Sequence, residues 1–477
     1  MPVSASYKPS TAFTKLGPEF ADPVAPARFP QHILRRRNQA WAARVGLDGL
    51  SAAGWEQAFA RFEPLPDNMT SPLAMRYHGH QFRSYNPDIG DGRGFLYAQL
   101  YDDGGRLLDL AAKGSGQTPY SRFGDGRLTL KGGVREVLAA DMLEAQGVYT
   151  SKAFSLFETG EALVRGDEPS PTRSSVLVRL SHSHIRFGSF QRLAFFERAD
   201  LMGTLLEHVA AHYAPDALGA QNLAAGVLAH VVRETARLAA SWMAAGFVHG
   251  VLNTDNLTVT GESFDYGPWR FTPTSDPNFT AAYFDENGLY AFARQPEAVS
   301  WALAQLASAL SLVCPVPALE AALAEFLPAY QRALATRTLS RLGVAETELD
   351  ADLEFLQTMF NWMTESGVSW DQFFHDWFCL DAARAAQSPE ASRYGDPAFA
   401  ALRDGLERRG PVRVERLQHR YFQRPTPESL VIEEVESLWA AIAERDDWSL
   451  FEAKLAGIGE MRDALAISCH QSVAAGA

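Results

Sequence analysis

Apolar and polar positions change their period partway along this chain, and the change divides it. Between about Tyr77 and Leu180 the apolar residues come in short runs broken by glycine-containing turns. The run 95–101 enters Asp102-Asp-Gly-Gly105 and resumes at 107–112, which predicts a β-hairpin. A helix is predicted over 133–145, where Val134, Val137, Leu138 and Met142 share one side at near 3.6-residue spacing. Further strands are expected at 153–157 and 176–180. From Phe190 onward the pattern is helical. The stretch 222–245 is long and apolar and meets a stop signal at Gly246; amphipathic helices follow at 298–312, 318–333, 353–363 and 429–444. Residues before about Thr70, with scattered prolines and a basic Leu34-Arg-Arg-Arg37, read as an extension outside the core, and the arginine run as a solvated helix face. No internal repeat or low-complexity tract is found.

The expected class is therefore α+β: a β-rich N-terminal lobe with one key helix, a large α-helical C-terminal lobe, and extensions at both ends. The corresponding division is 1–75, 76–190 and 191–477.

Composition narrows the partners. A length of 477 residues suits one large two-lobed domain or two to three smaller ones, and 47% hydrophobic with 21% charged residues is ordinary for a globular protein. A formal net charge of −14 argues against non-specific nucleic-acid binding, which depends on neutralising phosphates. The three cysteines, Cys314, Cys379 and Cys469, form no CxxC pair, so neither a zinc knuckle nor a thioredoxin-type motif is supported. With no signal-peptide pattern over 1–17 and no run of about 18 apolar residues, a cytoplasmic monomer without membrane or nucleic-acid partners is expected. The sequons at Asn68, Asn256 and Asn278 are then chance matches.

Five groups of residues could carry chemistry. Ile89-Gly-Asp-Gly-Arg-Gly94 precedes a predicted strand; Gly90 and Gly92 allow backbone N–H groups to approach phosphates, and Arg93 adds a fixed charge. Alone, that loop could equally be a tight turn. Lys113 closes the hairpin and Glu136 lies in the next helix, the pairing by which protein kinases steady a phosphate-binding ammonium. Ser121-Arg-Phe-Gly-Asp-Gly-Arg127 repeats the Gly-Asp-Gly-Arg tetrapeptide of 90–93, with Asp125 and Gly126 at its centre, as if two loops converged on one polyanion. Arg179 and Arg186 could clamp phosphates bidentately. Finally, His249-Gly-Val-Leu-Asn-Thr-Asp-Asn256 followed by Asp265-Tyr-Gly267 reads like a kinase catalytic loop and metal-binding turn. The position of the usual base is Val251, while Asn256 and Asp265 keep the oxygen ligands that Mg²⁺ takes. Asp255 is the only carboxylate in that loop and the candidate base. His78-Gly-His80 and His182-Ser-His184 lack a third metal-site partner and read as structural.

Together these residues resemble the selenoprotein O family of pseudokinase protein adenylyltransferases. The resemblance rests on Gly79-His-Gln-Phe82, Asn86-Pro87, Gly90-Asp-Gly-Arg93, the fifteen-residue block from Lys113 to Arg127, Arg135-Glu136, Ser183-His-Ile-Arg-Phe-Gly188, the His249–Asn256 loop and Asp265-Tyr-Gly-Pro268, with Gln295-Pro296 and Trp301 extending it. It implies a kinase-like fold and ATP bound upside down, its γ-phosphate buried and its α-phosphate presented to the acceptor. By position, Gly90, Gly92, Arg93, Lys113, Asp125, Gly126, Arg179, Arg186 and Asp265 would bind ATP, Asn256 and Asp265 would hold Mg²⁺, Asp255 would be the base and Glu136 would support Lys113. The implied product is AMP on a Ser, Thr or Tyr hydroxyl of a protein, possibly of this chain itself, with pyrophosphate released. Mn²⁺-dependent UMP transfer, ordinary kinase activity with Asp255 as base, and a non-catalytic nucleotide-sensing scaffold remain alternatives.

The chain departs from the family pattern at His78, Arg83 and Arg294, and matches poorly after Gly410. Cys469 lies near the family's C-terminal cysteine or selenocysteine, which some relatives pair with a cysteine after the D-Y-G turn. Residues 271–293 contain none here, so that redox control is not expected.

Overall fold

The computed structural model describes residues 3–468, and its largest departure from the sequence pattern lies in the segment expected outside the core. Three short strands there, Lys8–Ser10 (β1), Ala21–Pro23 (β2) and Ile33–Arg37 (β3), join the main sheet. Two helices, Gln39–Arg44 (α1) and Ala52–Phe59 (α2), bury Trp41, Trp55 and Phe59. The Trp55 ring stacks on Phe154 of the sheet, and its indole N–H donates to Ser155 Oγ at 2.9 Å. Strands of three to five residues are too short to show a period, and their partners lie far along the chain, those of β3 more than a hundred residues away in 155–158. The arginine run is accordingly an edge strand, not a solvated helix face. Arg35 pairs with Glu158 and Arg36 with Asp141, each at 2.6 Å. Charge on an edge strand also blunts pairing with other chains.

The next strands are Leu73–Met75 (β4), a separate hairpin of Gly79–Gln81 (β5) and Ser84–Asn86 (β6), the expected hairpin Gly94–Tyr101 (β7) and Leu107–Lys113 (β8), and Leu128–Thr129 (β9). Helix Leu130–Ala145 (α3) begins at a Thr129 cap, whose hydroxyl accepts from Gly132 N at 3.1 Å. Long strands Lys152–Leu163 (β10) and Thr172–Ser181 (β11) complete the sheet in the order β2-β4-β7-β8-β11-β10-β3, with β1 beside β7 and β9 beside β11. One face packs on α1 and α2 through Phe95, Tyr97, Val176 and Val178. The other packs on α3 and the helical half through Leu96, Leu156 and Leu177.

The helical half begins with Phe187–Phe195 (α4), Ala199–His212 (α5) and Leu223–Ala245 (α6). Helix α6 stops at Gly246 in the left-handed region, φ 69°, as expected. Strands Phe247–Val248 (β12) and Arg270–Phe271 (β13) then pair and bracket the loop with the candidate base. Gln295–Leu310 (α7) follows. The helix expected at 318–333 is two, Val316–Leu323 (α8) and Phe326–Leu342 (α9). Pro328 lies in the first turn of α9, where a proline is tolerated, but it would break a helix continuing through that point. Leu349–Ser366 (α10) and Ile432–Arg445 match the remaining expectations to within a few residues. The last helix, Ser449–Leu465, returns to α3, with Arg462 3.3 Å from Glu144. Among the described residues no helix is long and apolar enough to cross a membrane. Cys314 and Cys379 are buried free thiols, and Cys469 lies outside the described residues.

Candidate active site

Strand register sets the charged floor of the site. Lys113 at the end of β8 faces Leu177 of β11, so Arg179, two residues on, is its diagonal neighbour on the same face. Glu136 rises from α3 between them: Lys113 Nζ donates to Glu136 Oε1, and Arg179 reaches the same oxygen at 2.7 Å. Both cations also reach Asp265 Oδ1, at 2.5 Å and 2.7 Å. Burial opposes charge on Asp265, yet the flanking Lys113 and Arg179 hold its carboxyl well below the usual carboxylate range. The backbone of Asp265 is left-handed, φ 63°, a strained conformation for a non-glycine residue of the kind that clusters at functional sites.

This floor closes one end of a cavity of about 720 Å³ between the lobes. Gly90, Gly92, Arg93, Asp125, Gly126 and Arg186 line its walls, so the two Gly-Asp-Gly-Arg loops meet around it. The glycines of the first loop are required by the second. A Cβ on Gly90 would stand 2.5 Å from the Tyr120 ring, and one on Gly92 2.8 Å from the Tyr120 carbonyl. Gly126 holds φ 69°, where a Cβ would strike the Gly116 carbonyl. Asp91 is engaged by Arg186 at 3.1 Å and accepts from Met75 N. Asp125 is engaged by Arg165 at 2.9 and 3.0 Å and accepts from Arg127 N. Both acidic residues thus brace basic side chains and loop backbone at the cavity wall.

Asp255 enters the same cavity from a short 3-10 turn, Thr254–Asn256. Burial is the main influence on its carboxyl and pushes it up to about 6, against the pull of Arg186. Its Oδ1 is buried with no hydrogen-bond partner among the described residues. The turn is held by residues outside the sequence-predicted site, among them His80, whose expected role is structural. Thr254 Oγ1 accepts from His80 N of β5 and donates to Gln191 of α4, both at 2.7 Å. Asn253 Oδ1 accepts from Phe82 N and from the Tyr290 hydroxyl, both at 3.0 Å. Gln81 lies against Asp255 and favours its ionised form. The signal for them was the Gly79-His-Gln-Phe82 motif, whose backbone partner only folding reveals.

Asn256 donates one amide N–H to the Val251 carbonyl at 3.0 Å, which orients its side chain and leaves the carbonyl oxygen to accept. Asp265 lines the cavity and Asn256 is not among its lining residues; both carry hard oxygen donors, and Asp265 Oδ1 already accepts from Lys113 and Arg179. Among the described residues no group of three or more His, Cys, Asp or Glu could cage a metal. That donor set fits an ion that takes most of its ligands from phosphates and water, as Mg²⁺ does. The paired histidines are structural: His78 bonds Tyr85 at 2.8 Å, His80 bonds Gln191 at 2.8 Å, and His184 lies 3.3 Å from Asp109.

Known proteins match this chain nearly end to end. The family model described as protein adenylyltransferase SelO covers residues 3–458. A protein nucleotidyltransferase YdiU of Synechococcus elongatus is 44% identical over 475 residues, covering 94% of each chain. The protein of that name from Gloeobacter violaceus is 44% identical over 478 residues, covering 97% of this chain and 96% of that one. Among solved structures, ROP2 from Toxoplasma gondii, a virulence factor with a protein-kinase fold and no enzymatic activity, matches at 15% identity over 61% of this chain and 83% of that one; its TM-score of 0.27 sets no fold by itself. With the family model matched along almost all of its length, the chain belongs to the protein adenylyltransferase SelO family and is a nucleotidyltransferase.

Proposed function

We propose that the protein transfers AMP from ATP to the hydroxyl of a protein Ser, Thr or Tyr, with ATP held γ-phosphate inward. The supporting observation is the placement of charge. The buried cations Lys113, Arg179 and Arg186 all line the cavity, each braced by a carboxylate of Glu136, Asp265 or Asp91, and so offer three fixed donors to a chain of phosphates rather than to one phosphoryl group. Charge developing on the β- and γ-phosphates as pyrophosphate leaves is stabilised there by groups fixed before the reaction begins. The acceptor oxygen attacks the α-phosphorus, the bond to the bridging oxygen of the β-phosphate breaks, and the hydroxyl proton passes to Asp255. A carboxyl raised to about 6 is ionised near neutral pH yet basic enough to take that proton.

Asn256 and Asp265 would hold a divalent metal, Mg²⁺ or Mn²⁺, which when bound neutralises charge on the phosphate oxygens. Glu136 keeps Lys113 and Arg179 in position while nucleotide enters. The test is incubation with Mg²⁺ and ATP labelled with ³²P at either the α or the γ position, with a lysate as protein acceptor. Label retained from the α position alone is expected. Label retained from the γ position alone overturns the reading in favour of phosphoryl transfer, and nucleotide binding without any covalent product overturns it in favour of a sensing scaffold.

A further inference from the structure

The cavity has two chemically different ends, and only the closed one is accounted for by phosphates. At its rim Phe123 is fully exposed, and Val164, on the turn after β10, is 79% exposed. Both line the cavity that contains Lys113 and Asp265. Exposed apolar side chains are common singly, but these two stand on separate loops at one cavity mouth, and the loops are fastened together. Asp125, two residues after Phe123, takes both Nη atoms of Arg165, the residue after Val164. The Phe123 loop is further closed on itself: Gly124 N donates to Ser121 O at 2.7 Å, and Gln117 Nε2 donates to Gly124 O at 2.8 Å. Arg122 beside it is left-handed, φ 52°, a strained setting that this bonding maintains.

We propose that Phe123 and Val164 form a nucleobase clamp, with the Phe123 ring stacking on the base of the bound nucleotide and Val164 covering its other face or edge. This rests on the nucleotide reading above and deepens it. A nucleoside triphosphate carries its charge at one end and a flat, weakly polar ring at the other. Placed with its phosphates on the buried cations, it directs the ring toward the rim, where the apolar surface is. Stacking on a phenyl ring tolerates any base, so the clamp raises affinity for nucleotides as a class and leaves the choice between adenine and uracil to polar groups around it. It also gives an exposed phenylalanine an occupant: the side chain is uncovered until nucleotide binds.

The test is calorimetric titration of the full chain with ATP and with inorganic tripolyphosphate, each with Mg²⁺. Tripolyphosphate fills the phosphate end and has no base. Phe123→Ala is expected to weaken ATP binding roughly tenfold and to leave tripolyphosphate unchanged, while Phe123→Trp restores ATP affinity. Equal losses for both ligands, or an unchanged ATP affinity with weakened binding of a protein acceptor, overturn the clamp and leave the nucleotide reading intact. Failure of the unaltered protein to bind ATP while it binds tripolyphosphate overturns both.

Discussion

The two sides of the cavity satisfy their charges in opposite ways. On the floor, Lys113 and Arg179 each reach Glu136 and Asp265, so every charged head sits within hydrogen-bond reach of an opposite one. Asp255, by contrast, has one carboxylate oxygen buried with no hydrogen-bond partner among the described residues, and burial raises its carboxyl to about 6 even though Gln81 favours the ionised form. The paired floor fixes positions, with the Asp265 carboxyl held well below the usual range by its cations, although burial outweighs the partners of Lys113 and pushes the pKa of that ammonium down. An unsatisfied carboxylate costs stability and is free to take a proton. That difference supports the proposed division, with the floor binding nucleotide and Asp255 taking the proton, and each variant below tests it.

The largest effect is expected from Asp255→Asn. Transfer should fall by about 10² to 10⁴, while ATP affinity measured by calorimetry stays unchanged; a matching loss of affinity would merge the two sides into one. Lys113→Ala should do the reverse, weakening ATP binding by about 10- to 100-fold, because a charge-assisted hydrogen bond is lost and Glu136 and Asp265 must share Arg179. Next comes the pH profile. The base works ionised and its pKa is about 6, so the rate at saturating ATP should fall about tenfold per pH unit below that value and level off above it. A profile without that inflection removes Asp255 from the proton transfer.

The smallest effect concerns stability. A carboxyl raised on folding contributes stability that is full below its unfolded value and is lost as pH rises through its folded one. Asp255→Asn should therefore raise the melting temperature modestly at pH 8 and leave it unchanged at pH 4. Lowering at pH 8 would show that the carboxylate is satisfied after all.

Local chemistry made much of this legible in the chain. The hairpin around Asp102-Asp-Gly-Gly105, the helix carrying Glu136 and the stop at Gly246 follow from spacing and turn residues, and the structure places them within a few residues of expectation. The first 75 residues were not legible in this way. Their strands are three to five residues long, and what orders them is the sheet they join. Leu34-Arg-Arg-Arg37 looked like a solvated helix face because its partners, Glu158 and Asp141, are remote in sequence.

The chemical groups are legible along the chain: a strand lysine, a helix glutamate, two Gly-Asp-Gly-Arg loops, and a kinase-like loop with Val251 where a base would stand. Which of them are engaged by a partner and which are open follows from the fold. Asp91 and Asp125 are occupied by Arg186 and Arg165, Asp265 is shared by two cations, and Asp255 keeps one oxygen that has no partner among the described residues. Whether a carboxylate braces a loop or accepts a proton depends on its burial and its neighbours, and those are set by contacts between segments far apart in the chain.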